Sequence, residues 1–210
     1  MTEEEKKEEL IYKIAKSSKS IIVDYLDEEE MAMFKEKNIN LEVDKIYFDM
    51  DGVLADFERG VREICGIEPP NQNSKHRSKT ADDEMWEAIK KTPHFYDYLE
   101  MMPGAKEMFD AIYEKYGNKV EILTGIPKPK RGIVYAGDDK AKWTHRLLNP
   151  DIKVNIVFRE DKPQYCTGKG CILIDDMERN IRDWNEMGGT GIQNISAEKT
   201  IEILKEMSVL

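Results

Sequence analysis

The spacing of apolar residues changes near residue 45. Before it, Leu10, Ile11, Ile14 and Ala15 form one stripe on a highly charged stretch, which is the pattern of an amphipathic helix. Asp27-x-x-Glu30 then precedes Met31, Met33 and Phe34, predicting a capped second helix. Beyond residue 45, short apolar runs alternate with helical patterns. Strands are expected at 45–48, 120–123, 154–158, 171–174 and, more weakly, 191–195. Helices are expected at 104–116, 138–148, 177–187 and 197–207, the first bounded by Pro103-Gly104 and Gly117. Such alternation predicts an α/β fold, a parallel sheet with helices on both faces.

Residues 57–100 interrupt this rhythm. A helix is expected at 57–64, followed by the polar connection Pro69-Pro70-Asn71-Gln72-Asn73 and a second helix at 81–91 with Trp86 and Ile89 on one face. No strand pattern occurs there. An all-helical insertion directly after the first strand has the placement of a small cap. The expected division is therefore an N-terminal helical extension (1–44), an α/β core (45–56 and 101–210) and a helical cap (57–100).

The first strand runs into Asp49-Met50-Asp51-Gly52-Val53-Leu54-Ala55-Asp56. Side chains alternate along a strand, so Asp49 and Asp51 can share a side at its C-terminal end, where Gly52 permits a sharp exit. Open α/β sheets bind ligands at this edge. Thr124, Lys162 and the Asp175-Asp176 pair fall at or just past the ends of three further expected strands. Paired carboxylates repel unless a cation or shared proton lies between them. The residue types suit phosphoryl transfer: Asp49 as a nucleophile that splits one displacement into two, and Asp51 as the acid and then the base. Mg²⁺ prefers oxygen ligands, here the Asp49 and Asp175 side chains with the Asp51 carbonyl, and Asp176 contacting a metal-bound water. Thr124 and Lys162 would hold phosphoryl oxygens.

Composition narrows the partners. The chain has 210 residues, is 35% charged and carries a formal net charge of −10. That balance argues against a nucleic-acid or anionic-membrane surface. No apolar stretch approaches the ~20 residues of a membrane span. The acidic start, Met1-Thr2-Glu3-Glu4-Glu5, lacks the apolar core of a secretion signal. Cys65, Cys166 and Cys171 are odd in number and lack metal spacing, so a cytoplasmic protein with reduced thiols is expected, Cys171 being a small buried residue.

These motifs resemble the haloacid dehalogenase (HAD) superfamily: Asp49-x-Asp51, then Thr124, Lys162 and Asp175-Asp176 occur in its order. Asp51-Gly52-Val53-Leu54-Ala55-Asp56-Phe57, Met102-Pro103-Gly104-Ala105, Lys140-Ala141-Lys142-Trp143 and Leu173-Ile174-Asp175-Asp176 are similar to the 5′(3′)-deoxyribonucleotidases, over residues 45–187. The resemblance implies a HAD-like Rossmannoid core and Mg²⁺-dependent hydrolysis of nucleoside monophosphates. It implies Thr124, Gly125 and Lys162 around the phosphate, with Lys140 as second choice to Lys162. By motif position it implies Phe57 as an aromatic contact to the base. Trp86, Phe95 and Tyr96 are further candidates, because an aromatic wall suits a nucleobase face. Two departures stand out. Gly125 replaces the family's usual Ser, removing a hydroxyl while keeping a backbone donor, and residues 1–44 have no counterpart.

Simpler roles compete at several positions. Asp56 suits a helix start, His94 and His145 a structural or surface place, and His76 a solvated one. Lys140 stands on an expected helix, where lysine is ordinarily solvated. Lys128-Pro129-Lys130-Arg131 is more simply a solvated loop than a device for steering anions. Residues 1–44 suit an accessory helical pair packed on the core, with a homo-oligomer or partner contact as the alternative. Alternatives for the whole chain are a phosphatase for sugar phosphates or nucleic-acid 3′-phosphate ends, and a non-catalytic phosphate-binding regulator.

Overall fold

The computed structural model describes residues 41–71, 73–74 and 78–210. The helices expected before residue 41, and His76, lie outside them. Residues 41–44 run without regular structure into β1 (Lys45–Phe48), burying Val43 on the way.

Strand β1 lies at the centre of a five-stranded parallel sheet of order β3-β2-β1-β4-β5. Its partners are β2 (Val120–Gly125) and β4 (Cys171–Asp175), with β3 (Val154–Val157) and β5 (Thr190–Gln193) outside them. Fully buried central strands read as continuous apolar runs, which is why they were legible. The period-2 alternation sorts them onto two faces. Ile46, Phe48, Ile122, Ile172 and Ile174 join one cluster with α3 (Ala105–Tyr116), α4 (Ala136–Leu147) and α6 (Ala197–Glu206). Tyr47, Leu123, Cys171 and Leu173 pack on the other against Ile181 and Trp184 of α5 (Glu178–Glu186).

The helical stretch between β1 and β2 contains α1 (Phe57–Ile64), α2 (Lys79–Lys90) and a 3₁₀ turn (Phe95–Tyr98). Asp56 caps α1, its carboxylate accepting from the Arg59 amide at 3.1 Å. Helix α2 begins two residues earlier than expected because the Ser78 hydroxyl accepts from the Ala81 amide. Chain exit and return are tied side by side. Ala55 bridges Met101, the Asp56 amide donates to the Glu100 carbonyl at 2.8 Å, and the Met102 amide to the Leu54 carbonyl at 2.8 Å. A further tie joins this stretch to the sheet side, where the buried Trp143 indole donates to the Leu99 carbonyl at 2.7 Å. Strand β5 ends at Gln193, and the backbone amide of the buried Asn194 that follows donates to the Asp175 carbonyl at 2.9 Å.

All three cysteines are free, Cys171 being buried. Among the described residues no helix is long and apolar enough to cross a membrane.

Candidate active site

Strand register assembles the site. Phe48 pairs with Ile174, so the next residues, Asp49 and Asp175, lie side by side, and the Asp49 amide donates to the Ile174 carbonyl at 2.9 Å. On the other flank Phe48 pairs with Ile122, which brings Thr124 to the same edge two residues later. Asp49, Asp175 and Asp176 present carboxylate oxygens within 4.8 Å of one another.

Two buried lysines enter this acidic cluster. The Lys162 ammonium, carried on the 3₁₀ segment Arg159–Tyr165 after β3, lies 2.7 Å from Asp175 Oδ2 and 2.9 Å from Asp49 Oδ1. The second contact is close but poorly directed, and Asp49 Oδ1 stays buried without a hydrogen bond. The Lys140 ammonium donates to Asp51 Oδ2 at 2.6 Å, Thr124 Oγ1 at 3.0 Å and the Gly125 carbonyl at 2.8 Å. An ammonium has three protons, so Lys140 is fully engaged within the protein. Its expected solvation is corrected: the side chain is 1% exposed, because α4 aims it under the end of β2 and 4.7 Å from the Tyr96 ring centroid. A helix surface pattern gives no sign of that inward aim.

Burial dominates the electrostatics. It raises the Asp51 carboxyl above the ordinary range, against the pull of Lys140 and with the help of Asp49. Asp175 is likewise raised by burial despite Lys162. Asp176 is pushed up to about 8 by burial and then by Asp175 and Asp49. For Lys162, burial opposes the charge, but Asp175 and Asp49 outweigh it and hold the ammonium above its usual range. A cluster that favours protons so strongly is one that an added cation would relieve. Its all-oxygen donors, with Asp49 Oδ1 and Asp51 Oδ1 buried and lacking a hydrogen bond, fit a hard divalent ion such as Mg²⁺.

Above the carboxylates opens a chamber of about 180 Å³, walled by Phe57, Trp86 and Tyr96 and floored by Asp49, Asp51 and Lys162. Phe57 and Tyr96 stack at 6.2 Å, and Trp86 stands 6.3 Å from Phe57. Gly125 also lines the chamber. Phe95 does not: at 1% exposure it backs Phe57 edge-on at 5.7 Å.

Comparison with known proteins places the chain in a family. The family model described as 5′ nucleotidase, deoxy (Pyrimidine), cytosolic type C protein matches residues 42–202. The chain belongs to this nucleotidase family. It is 27% identical over 146 residues to the human mitochondrial 5′(3′)-deoxyribonucleotidase, covering 63% of this chain and 61% of that protein. It is 28% identical over 149 residues to the human cytosolic 5′(3′)-deoxyribonucleotidase, covering 64% of this chain and 71% of that protein. The chain thus spans less than two thirds of the mitochondrial relative's length. A HAD-superfamily hydrolase from Ehrlichia chaffeensis shares the fold, with a TM-score of 0.50 at 14% identity, over 80% of this chain and 98% of that one.

Sequence reading missed some of this nucleotidase family member's site. Asn180 donates to both Asp175 oxygens at 2.9 Å, and the Met177 amide to Asp175 Oδ1 at 2.9 Å. The signal was present as Asp175-Asp176-x-x-x-Asn180, where one helical turn returns the amide to the carboxylate. Arg159 and Arg179, at the chamber wall, gave no such signal.

Proposed function

We propose that this chain is a Mg²⁺-dependent phosphomonoester hydrolase that works through an aspartyl-phosphate on nucleoside monophosphates. The observation that carries the reading is the Asp49–Asp51 pair set beneath an aromatic-walled chamber. Asp49 is held next to Lys162, and Asp51 has its carboxyl raised by burial. Asp49 attacks phosphorus, and Asp51, whose carboxyl burial raises, gives a proton to the departing ester oxygen. Water then attacks the phosphoaspartate and gives its proton to Asp51, releasing inorganic phosphate and restoring both carboxyl groups. Lys162 donates to Asp175 and lies in ionic contact with Asp49, which leaves it a donor suited to a phosphoryl oxygen in the chamber. Lys140, already saturated, orients Asp51 and Thr124 instead.

Bound Mg²⁺ would offset the negative charge of the Asp49, Asp175 and Asp176 group and of the phosphoryl oxygens. Phe57, Trp86 and Tyr96 offer flat apolar faces to a base, with residues 57–100 serving as a cap. Three free thiols suit work in a reducing cytoplasm.

The test is phosphate release from deoxy- and ribonucleoside monophosphates, sugar phosphates and an aryl phosphate, with Mg²⁺ and with chelator, beside Asp49→Asn protein. Release that needs Mg²⁺ and Asp49 and favours nucleoside monophosphates is expected. Activity confined to sugar phosphates would overturn the substrate. Activity surviving Asp49→Asn would overturn the mechanism.

A further inference from the structure

Beside the chamber lies a second cavity of about 460 Å³, and the two share a wall of Trp86, Ile126, Pro127, Arg159 and Arg179. Lys128, Lys130 and Arg131 line only the outer cavity. The lining thus holds five cations against one carboxylate, Glu160, in a protein whose formal net charge is −10. A concavity of that sign in an acidic chain focuses potential on an anion.

One phosphate does not account for these charges. The scissile group sits over Lys162, and Arg159 and Arg179 already face the chamber. The three outer cations remain. Their protein partners are weakly binding: Lys128 meets Glu160 at 2.6 Å with side chains 56% and 43% exposed, a solvated pair that yields readily to a doubly charged anion. Arg131 bonds Asp83 at 2.5 Å and stands 5.9 Å from the Trp86 ring centroid, which sets its guanidinium at the wall between the cavities. Arg159 is likewise held by Asp183 at 3.1 Å. A planar fork of donors in such a place matches phosphate geometry.

We propose that the outer cavity is a second phosphate subsite, and that the preferred substrate is a nucleoside bisphosphate. This deepens the phosphomonoesterase reading and rests on it. Water cleaves one phosphomonoester, giving inorganic phosphate and a free hydroxyl. The second phosphate remains on the product, among Lys128, Lys130 and Arg131. A terminal phosphate dianion matches these cations better than the single charge of a diester.

The experiment compares kcat/KM for a nucleoside 5′-monophosphate, the nucleoside 3′,5′-bisphosphate and a 5′-phosphorylated dinucleotide. Each is run with wild-type and Lys128→Glu/Lys130→Glu protein, at low and high salt. The bisphosphate is expected to exceed the monophosphate by about tenfold, through KM, with the advantage fading in salt. The double variant removes that advantage and leaves monophosphate turnover within about twofold. Equal use of mono- and bisphosphate, or an equal loss on every substrate in the variant, overturns the subsite. A dinucleotide better than the bisphosphate also overturns it, giving the cavity to a polynucleotide backbone. Should no substrate, aryl phosphate included, release phosphate, the hydrolase reading has failed. Calorimetric binding of the bisphosphate and monophosphate to the same two proteins then decides the subsite alone, equal affinities counting against it.

Discussion

The Lys140 ammonium lies 2.6 Å from Asp51 Oδ2, across 89 positions of sequence, with the lysine side chain 1% exposed. Helix α4 and the end of β1 are thereby joined by a partly buried charge contact at the centre of the site. Lys140 lowers the Asp51 pKa while burial and Asp49 raise it. In the proposed mechanism Asp51 must begin protonated, so activity falls as pH rises through its pKa. Lys140→Met removes the lysine hydrogen bond to this carboxyl and lets its pKa climb. The alkaline limb of kcat against pH is expected to move upward, with stability reduced by about 3 kcal/mol, the low end for a broken buried pair because Asp51 can stay neutral. Rate profiles and denaturant unfolding read both effects. An unmoved alkaline limb would separate Lys140 from the acid.

Gly52 is the position where one methyl group tests the acidic cluster. Its φ is +74°, and an added Cβ would meet Asp176 Oδ2 at 2.6 Å. Gly52→Ala therefore strains the backbone by about 1 kcal/mol and displaces the Asp176 carboxylate. Mg²⁺ affinity, followed by thermal shift, is expected to drop about tenfold, as when a carboxylate near a metal is displaced. Unchanged affinity would remove Asp176 from the metal-binding group.

Much of this site was legible because β1 and β4 each pass from apolar residues straight into aspartate. Parallel pairing then required Asp49 and Asp175 to meet. Lys140 was harder to read. Helical periodicity assigns a lysine to solvent, whereas tertiary contacts such as Trp143 to the Leu99 carbonyl and His94 to Asp139 seat α4 with Lys140 pointing inward. Phe95 was indistinguishable from Trp86 and Tyr96 as an aromatic candidate in sequence. It follows His94, whose left-handed backbone (φ 59°) begins a short 3₁₀ turn, and no period carries through such a break. The outer cavity combines residues 126–128, 130 and 131 with Trp86, Arg159, Glu160 and Arg179, so only the Lys128-Pro129-Lys130-Arg131 run foreshadowed it.

Metal-free stability should depend on pH through the same carboxylates. Asp176 titrates at about 8 in the folded protein against an ordinary 3.8. The folded state therefore keeps a proton that the unfolded chain has released. This contribution is fully present below the unfolded value, declines as pH rises between 3.8 and about 8, and is gone above. Asp51 and Asp175 shift in the same direction. Mg²⁺ competes with those protons, so its stabilisation should grow over the same window. Melting curves from pH 5 to 9, with Mg²⁺ and with chelator, are expected to diverge as pH rises. A gap independent of pH would show that metal and protons do not share these groups.

Asn180 offers a way to separate the metal site from the fold. Its amide donates 2.9 Å bonds to both Asp175 oxygens from the first turns of α5, beside the Met177 amide and Lys162. Asn180→Leu deletes those bonds while Lys162 and Met177 still anchor the carboxylate. Mg²⁺ affinity should fall 10- to 100-fold, roughly the range for partners that orient metal ligands. Apo stability should fall by only about 1–3 kcal/mol for the bonds lost. Asn180→Asp behaves differently, since it adds a carboxylate against Asp175 in a group already short of cations. Its apo form should be the less stable of the two variants, and Mg²⁺ should restore more of its melting temperature than it restores for Asn180→Leu. Calorimetric unfolding with and without Mg²⁺ distinguishes these outcomes. Equal rescue of both variants would mean that Asn180 supports α5 and not the charge of Asp175.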